Sequence, residues 1–132
     1  MTATTNDRNT PSRMGDIVAF KVAAGELIPA GTMVCINAAG FAVSGKLAAD
    51  LVYVGRANER VDNTAGQDGD VLIEVQRGRM FAWANDGTVA QAEVGKKVYI
   101  ADNQTVQKAD AGASSAGYCV LINDDGVWTQ SF

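Results

Sequence analysis

Histidine is missing from all 132 residues. Its absence removes the commonest general base, the commonest zinc ligand and the side chain that titrates near neutral pH. Cysteine is scarce: Cys35 and Cys119 are the two present. Two cysteines cannot build a disulfide framework, they form no Cys-x-x-Cys pair, and each sits in an apolar run where a reduced thiol acts as a small hydrophobe. No apolar stretch approaches the roughly 20 residues that cross a bilayer, so no membrane partner is expected. Positive charge is also short, with 11 Lys+Arg against 15 Asp+Glu and a net charge of −4. Such a surface repels phosphate, which argues against nucleic acid as a partner. The N-terminus lacks the apolar core of a secretory signal, so synthesis and retention in a cytoplasm are expected.

What is present is β-forming. Residues 1–15 are small and polar, with Pro11 and Gly15 as breakers, and they read as a flexible arm. From Asp16 the composition shifts, and fifteen Val and six Ile against five Leu favour strands over helices. Residues 16–132 are therefore expected to form one all-β domain, a small barrel or sandwich with little helix.

Strands are predicted over Ile17–Val22, Thr32–Asn37, Phe41–Val43, Leu51–Val54, Val71–Gln76, Arg79–Ala84, Val98–Ile100, Thr105–Gln107 and Gly117–Ile122, with a last strand from Val127 to Phe132. Val71, Ile73 and Val75 alternate with polar neighbours and should face inward. Residues 24–31 read as a connection, Gly78 as a bulge, Asn123-Asp124-Asp125-Gly126 as a primed hairpin turn, and short helices are expected at Lys46–Leu51 and Thr88–Glu93.

A longer pattern organises these pieces. Ala30-Gly31-Thr32-Met33-Val34-Cys35-Ile36 aligns with Val94-Gly95-Lys96-Lys97-Val98-Tyr99-Ile100, and Val54-Gly55-Arg56-Ala57 aligns with Ala116-Gly117-Tyr118-Cys119. Each half reads as strand, turn, strand, variable stretch, glycine, strand. That predicts a duplicated β unit, since one copy is too small to bury its own apolar face.

Chemical motifs are weak. Gly40 to Leu47 nearly spells a phosphate-binding loop, but Leu47 stands where Ser or Thr would hold magnesium. Asp62, Asp68 and Asp70 share one loop without the register of a calcium site and read as solvated acids. Glu26, Glu59 and Glu93 are scattered, and no acid/base pair is identifiable. No catalytic, cofactor or metal residue is assigned. Trp83, Trp128, Phe81 and Phe132 read as core or interface anchors, with Met80 and Trp83 the candidate oligomer contacts.

The segments Asp16-Ile17-Val18, Pro29 to Val34, Gly95 to Ile100 and Ala116 to Val120 resemble those of tailed-bacteriophage capsid decoration, or cement, proteins. The resemblance spans Asp16 to Phe132, and departs from the family in the long polar arm and in the Asn58–Asp70 stretch. It implies a non-enzymatic β-barrel protein, made in a bacterial cytoplasm, that studs the outer surface of the virion. The partner implied is the major capsid protein, with neighbouring subunits clamped by a homotrimer. Some relatives add an N-terminal arm to a capsid-protein sheet, which nominates Thr2, Thr4, Thr5, Arg8, Pro11, Arg13 and Met14 as arm contacts. A second expectation, from the Gly25-Glu26-Leu27-Ile28-Pro29-Ala30-Gly31-Thr32 turn, is a small-ligand or carbohydrate-binding β-clip-like domain.

Overall fold

The computed structural model describes residues 2–131. The chain forms β1 (Ile17–Lys21), β2 (Leu27–Ile28), β3 (Met33–Ile36), β4 (Ala42–Ser44), β5 (Val52–Ala57), β6 (Val61–Asp62), β7 (Leu72–Gln76) and β8 (Phe81–Asn85). It continues with β9 (Lys97–Ile100), β10 (Thr105–Gln107), β11 (Ser115–Asn123) and β12 (Gly126–Gln130). Among the described residues helix is confined to one 3₁₀ turn, Gln91–Glu93. The fold is all-β.

The duplication is explicit in the topology. The first sheet has the order β1-β7-β5-β3-β4, and a parallel bridge between Val22 and Ala42 brings its two ends together. The second closes into a barrel whose circular order is β8-β12-β11-β9-β10, with β10 parallel to β8. Substituting β8 for β1, β12 for β7, β11 for β5, β9 for β3 and β10 for β4 turns one order into the other. One irregularity of each half also corresponds. The β3–β5 register skips a residue between Val34/Cys35 and Gly55/Tyr53, and the β9–β11 register skips one between Val98/Tyr99 and Gly117/Ser115. The extra residues are Val54 and Ala116, which the sequence alignment already pairs.

The alternation of side chains along a strand decides which core each one enters. In β3, Val34 and Ile36 belong to the cluster that fills the first barrel with Ile28, Val54, Ile73 and Val75. Met33 and Cys35 point the other way, into a cluster shared with Tyr53, Trp83, Val98, Ile100 and Val127. That is why β3 is apolar on both faces: its inner face fills one barrel and its outer face packs on the next. Each fully buried Ile or Val here contributes about 1.5–3 kcal/mol of transfer free energy.

Four expectations are corrected. Leu27–Ile28 is a short strand paired with Val61–Asp62, not plain connection. No helix forms at 46–51, because Ser114 Oγ donates to the carbonyl of Ala48 (2.6 Å) and accepts from the N–H of Leu51 (3.0 Å), and Asp50 takes φ 64°. Register shifts lie before Gly55 and Gly117 and at Val120, while Gly78 sits in the loop after β7. In the last hairpin Asn123 pairs with Gly126, and positive φ falls on Gly126 (130°), not on Asp124 or Asp125, so the turn is not of the primed kind. Its geometry is fixed by Asn123 Oδ1, which accepts from Asp125 N–H (2.9 Å) and from the Trp128 indole (3.0 Å). Phe132, expected in the last strand, and Met1 of the arm lie outside the described residues.

Candidate functional site

The groups that do chemistry elsewhere are occupied with structure here. Cys35 and Cys119 are both buried and free. Burial pushes the Cys35 thiol up to about 12, with Lys46 opposing only in part, and raises Cys119 as well. Neither thiol is poised as a nucleophile at neutral pH. The three loop aspartates are braces: Asp62 accepts from Thr64 N–H (2.9 Å), Asp68 from Ala24 N–H (2.7 Å) and Asp70 from Gln67 N–H (2.9 Å). No group of three metal-ligating side chains occurs among the described residues. Glu59 accepts from Glu74 N–H at 3.3 Å, and Glu93, which is buried, lies 3.4 Å from Lys108 Nζ.

The two motif-like loops are likewise used internally. Asn37 Oδ1 accepts from the N–H groups of Ala39 (3.1 Å) and Phe41 (3.0 Å), and Gly40 and Gly45 donate to the carbonyls of Asn37 and Met33. Amides spent in this way cannot cradle a phosphate. In the 25–32 turn Ile28 is fully buried, so this segment serves the first core.

The arm is a different case. Thr2, Thr4, Thr5, Arg8, Pro11, Arg13 and Met14 are all exposed, outside any strand, and Met14 is 80% exposed. Its side-chain hydrogen bonds are local, Thr4 with Asn6 and Arg8 with Thr10. Just after the arm, the carbonyl of Asp16 accepts from Arg77 N–H.

Met80 and Trp83, paired in the sequence reading, separate. Met80 is on the surface. Trp83 is 4% exposed, with its ring against Tyr53 (centroids 6.4 Å apart, edge to face) and Phe81 (6.1 Å). Burial within its own chain corrects its assignment as an oligomer contact. Arg56 covers this cluster, its guanidinium 4.9 Å from the Phe81 ring centroid and 2.7 Å from Gln76 Oε1.

A groove of about 610 Å³ lies where β5 meets β11, lined by Val52, Tyr53, Lys97, Tyr118 and Val120 among others. Val52 and Tyr118 are about half exposed, at 50% and 52%, and Val120 is 38% exposed. Among the described residues β5 lacks a paired strand on one side here. β7 pairs with β5 only at Arg56 and Ala57, leaving Val52–Val54 without a strand beside them. The printed β11–β12 pairing begins at Tyr118, and Gln130 and Ser131 stand close against Gly117. The sequence predicted the strand Gly117–Ile122 but not this groove, because its apolar residues fall on both faces and only one face turns inward.

No family model, no curated protein and no solved structure matches this chain.

Proposed function

We propose that this protein is a structural component of a tailed-bacteriophage virion, binding the outside of the capsid and cementing neighbouring major capsid subunits, with no catalytic turnover of its own. The observation that carries the reading is the arm: fourteen described residues, 2–15, all exposed and outside any strand. Fixing an extended segment costs about 1–2 kcal/mol per residue, so a partner must supply many main-chain bonds to hold it. An assembled shell offers such contacts in many copies, and effective concentration makes individually weak ones sufficient.

Other features agree with a covering role. Carboxylates brace loops, thiols are buried, and the net charge of −4 keeps a decorated particle soluble and turned away from DNA. The resemblance of the 16–132 body to decoration proteins supplies the identity of the shell. The test is addition of the purified chain to undecorated, expanded phage heads. Binding and greater resistance of the heads to heat or chelator are expected, and heads that neither bind the protein nor gain resistance refute the reading.

A further inference from the structure

We propose that Asp125-Gly126, at the tip of the last hairpin, is a site of spontaneous main-chain modification, where aspartate converts to isoaspartate through a cyclic succinimide. The inference is independent of the capsid reading.

The reaction favours an aspartate followed by a residue without a side chain, because the next amide nitrogen must reach the carboxyl carbon unshielded. Three Asp-Gly pairs occur, Asp68-Gly69, Asp86-Gly87 and Asp125-Gly126. All three aspartates are exposed, so access to water does not separate them. Their bonding does. Asp68 accepts from Ala24 N–H (2.7 Å), and the Gly69 amide donates to the Val22 carbonyl (2.9 Å). Asp86 accepts from the N–H (2.9 Å) and the hydroxyl of Thr88, and the Gly87 amide donates to Asn85 Oδ1 (2.9 Å). Among the described residues the Asp125 carboxylate makes no hydrogen bond or ion pair, and its main-chain N–H alone is held, by Asn123 Oδ1 (2.9 Å). The Asp125 side chain is therefore free to turn onto the following nitrogen, whereas the other two carboxylates must first give up their donors.

The fold also imposes the glycine. Gly126 has φ 130°, and a β-carbon placed on it would stand 2.3 Å from the Trp83 carbonyl oxygen. The unshielded amide thus comes with the hairpin. Asp124, equally exposed, is followed by Asp125, whose side chain shields the amide that Asp124 would need.

The step balances with water alone. The Gly126 nitrogen gives its proton to solvent and bonds to Asp125 Cγ, one carboxyl oxygen leaves as water, and a five-membered imide closes. Water then adds at one of the two imide carbonyls. Breaking the Cγ–N bond restores aspartate. Breaking the bond between the nitrogen and the main-chain carbonyl carbon leaves isoaspartate, with mass and charge unchanged. The main chain is then longer by one carbon, which puts the pairing of Asn123 with Gly126 out of register.

The experiment is prolonged incubation of the full chain at neutral pH, with and without urea, followed by peptide mapping with electron-transfer fragmentation, which distinguishes isoaspartate from aspartate at each site. In the folded chain isoaspartate should accumulate at position 125 at least about tenfold faster than at 68 or 86, and in urea the three rates should converge. Amide exchange should quicken at residues 125–128 of the converted chain. Asp125→Glu, a change at an exposed side chain without partners, needs a six-membered ring to react and should stay unconverted at that position. Three results overturn the inference: a folded chain without isoaspartate at 125, conversion at 68 or 86 as fast as at 125 in the folded chain, or the same preference for 125 in urea, which would make sequence rather than structure its source.

Discussion

Gly55 lies so close to Gln76 that a β-carbon placed on it would stand 2.1 Å from the Gln76 carbonyl oxygen. Gly117 repeats the relationship with Gln130, at 2.4 Å, in the second barrel. Both glycines have positive φ, 146° and 99°, and both follow the extra residue of a bulge. The two contacts tie each bulged strand to the end of its neighbour, and the obstacle is main chain in each case. Gly55→Ala and Gly117→Ala should therefore each destabilise the fold by about 2–4 kcal/mol, combining backbone strain with a displaced strand end. Urea unfolding measures this, and a change below about 0.5 kcal/mol at either site would show that the strand ends yield freely.

These glycines also mark what was legible in the sequence. The alignment of Val54-Gly55 with Ala116-Gly117 exposed the duplication, and the strands with clean alternation, such as Val71 to Gln76, folded as their pattern dictates. Residues governed by distant partners were not legible. Nothing near Lys46–Leu51 announces that Ser114, more than sixty positions away, takes its hydrogen bonds and prevents a helix. Trp83 reads equally well as an interface or a core residue until Tyr53 and Phe81 are seen around it. The groove escaped for a similar reason: the unpaired edge of β5 arises from where β7 stops, and strand ends are weakly encoded.

Asn63 is 3% exposed and its side-chain amide donates to the carbonyls of Ala23 (2.9 Å) and Gln67 (3.0 Å). One amide thus ties the 62–70 loop to the chain leaving β1. Asn63→Asp cannot donate these bonds and brings a charge among carbonyls, so it should cost more than Asn63→Ala, itself expected to cost about 2–3 kcal/mol. Hydrogen exchange should show the loss locally, with faster exchange at Gly25, Gly66 and Gly69. Uniform protection across the chain in both variants would contradict this role.

Ser114 joins the two halves through its hydroxyl, and it is 6% exposed. Ser114→Ala leaves the Leu51 N–H and the Ala48 carbonyl without that partner, at an expected cost of about 1–3 kcal/mol. The 46–51 segment should become the first site of proteolytic cleavage in the variant, whereas an unaltered cleavage pattern would mean that other contacts hold it.

Cys35 gives the fold a pH dependence with a definite sign. Its ordinary value of 9.0 is pushed up to about 12 in the folded protein, because burial disfavours the thiolate. Below about pH 9 the thiol is protonated whether the chain is folded or not, and its contribution is fully present. As pH rises from 9 towards 12 the unfolded chain releases a proton that the folded one retains, so stability should fall by up to about 1.4 kcal/mol per pH unit from this group. Tyr53, also raised by burial, acts in the same direction above its ordinary value of 10.0. Denaturation midpoints measured from pH 7 to pH 11 should hold steady and then decline, and Cys35→Ala should lower the plateau through its cavity while flattening the decline between pH 9 and 10. A wild-type Cys35 that reacts with a thiol reagent at pH 8 as fast as the unfolded chain would refute the assignment, since the reaction requires the ionised form that burial suppresses.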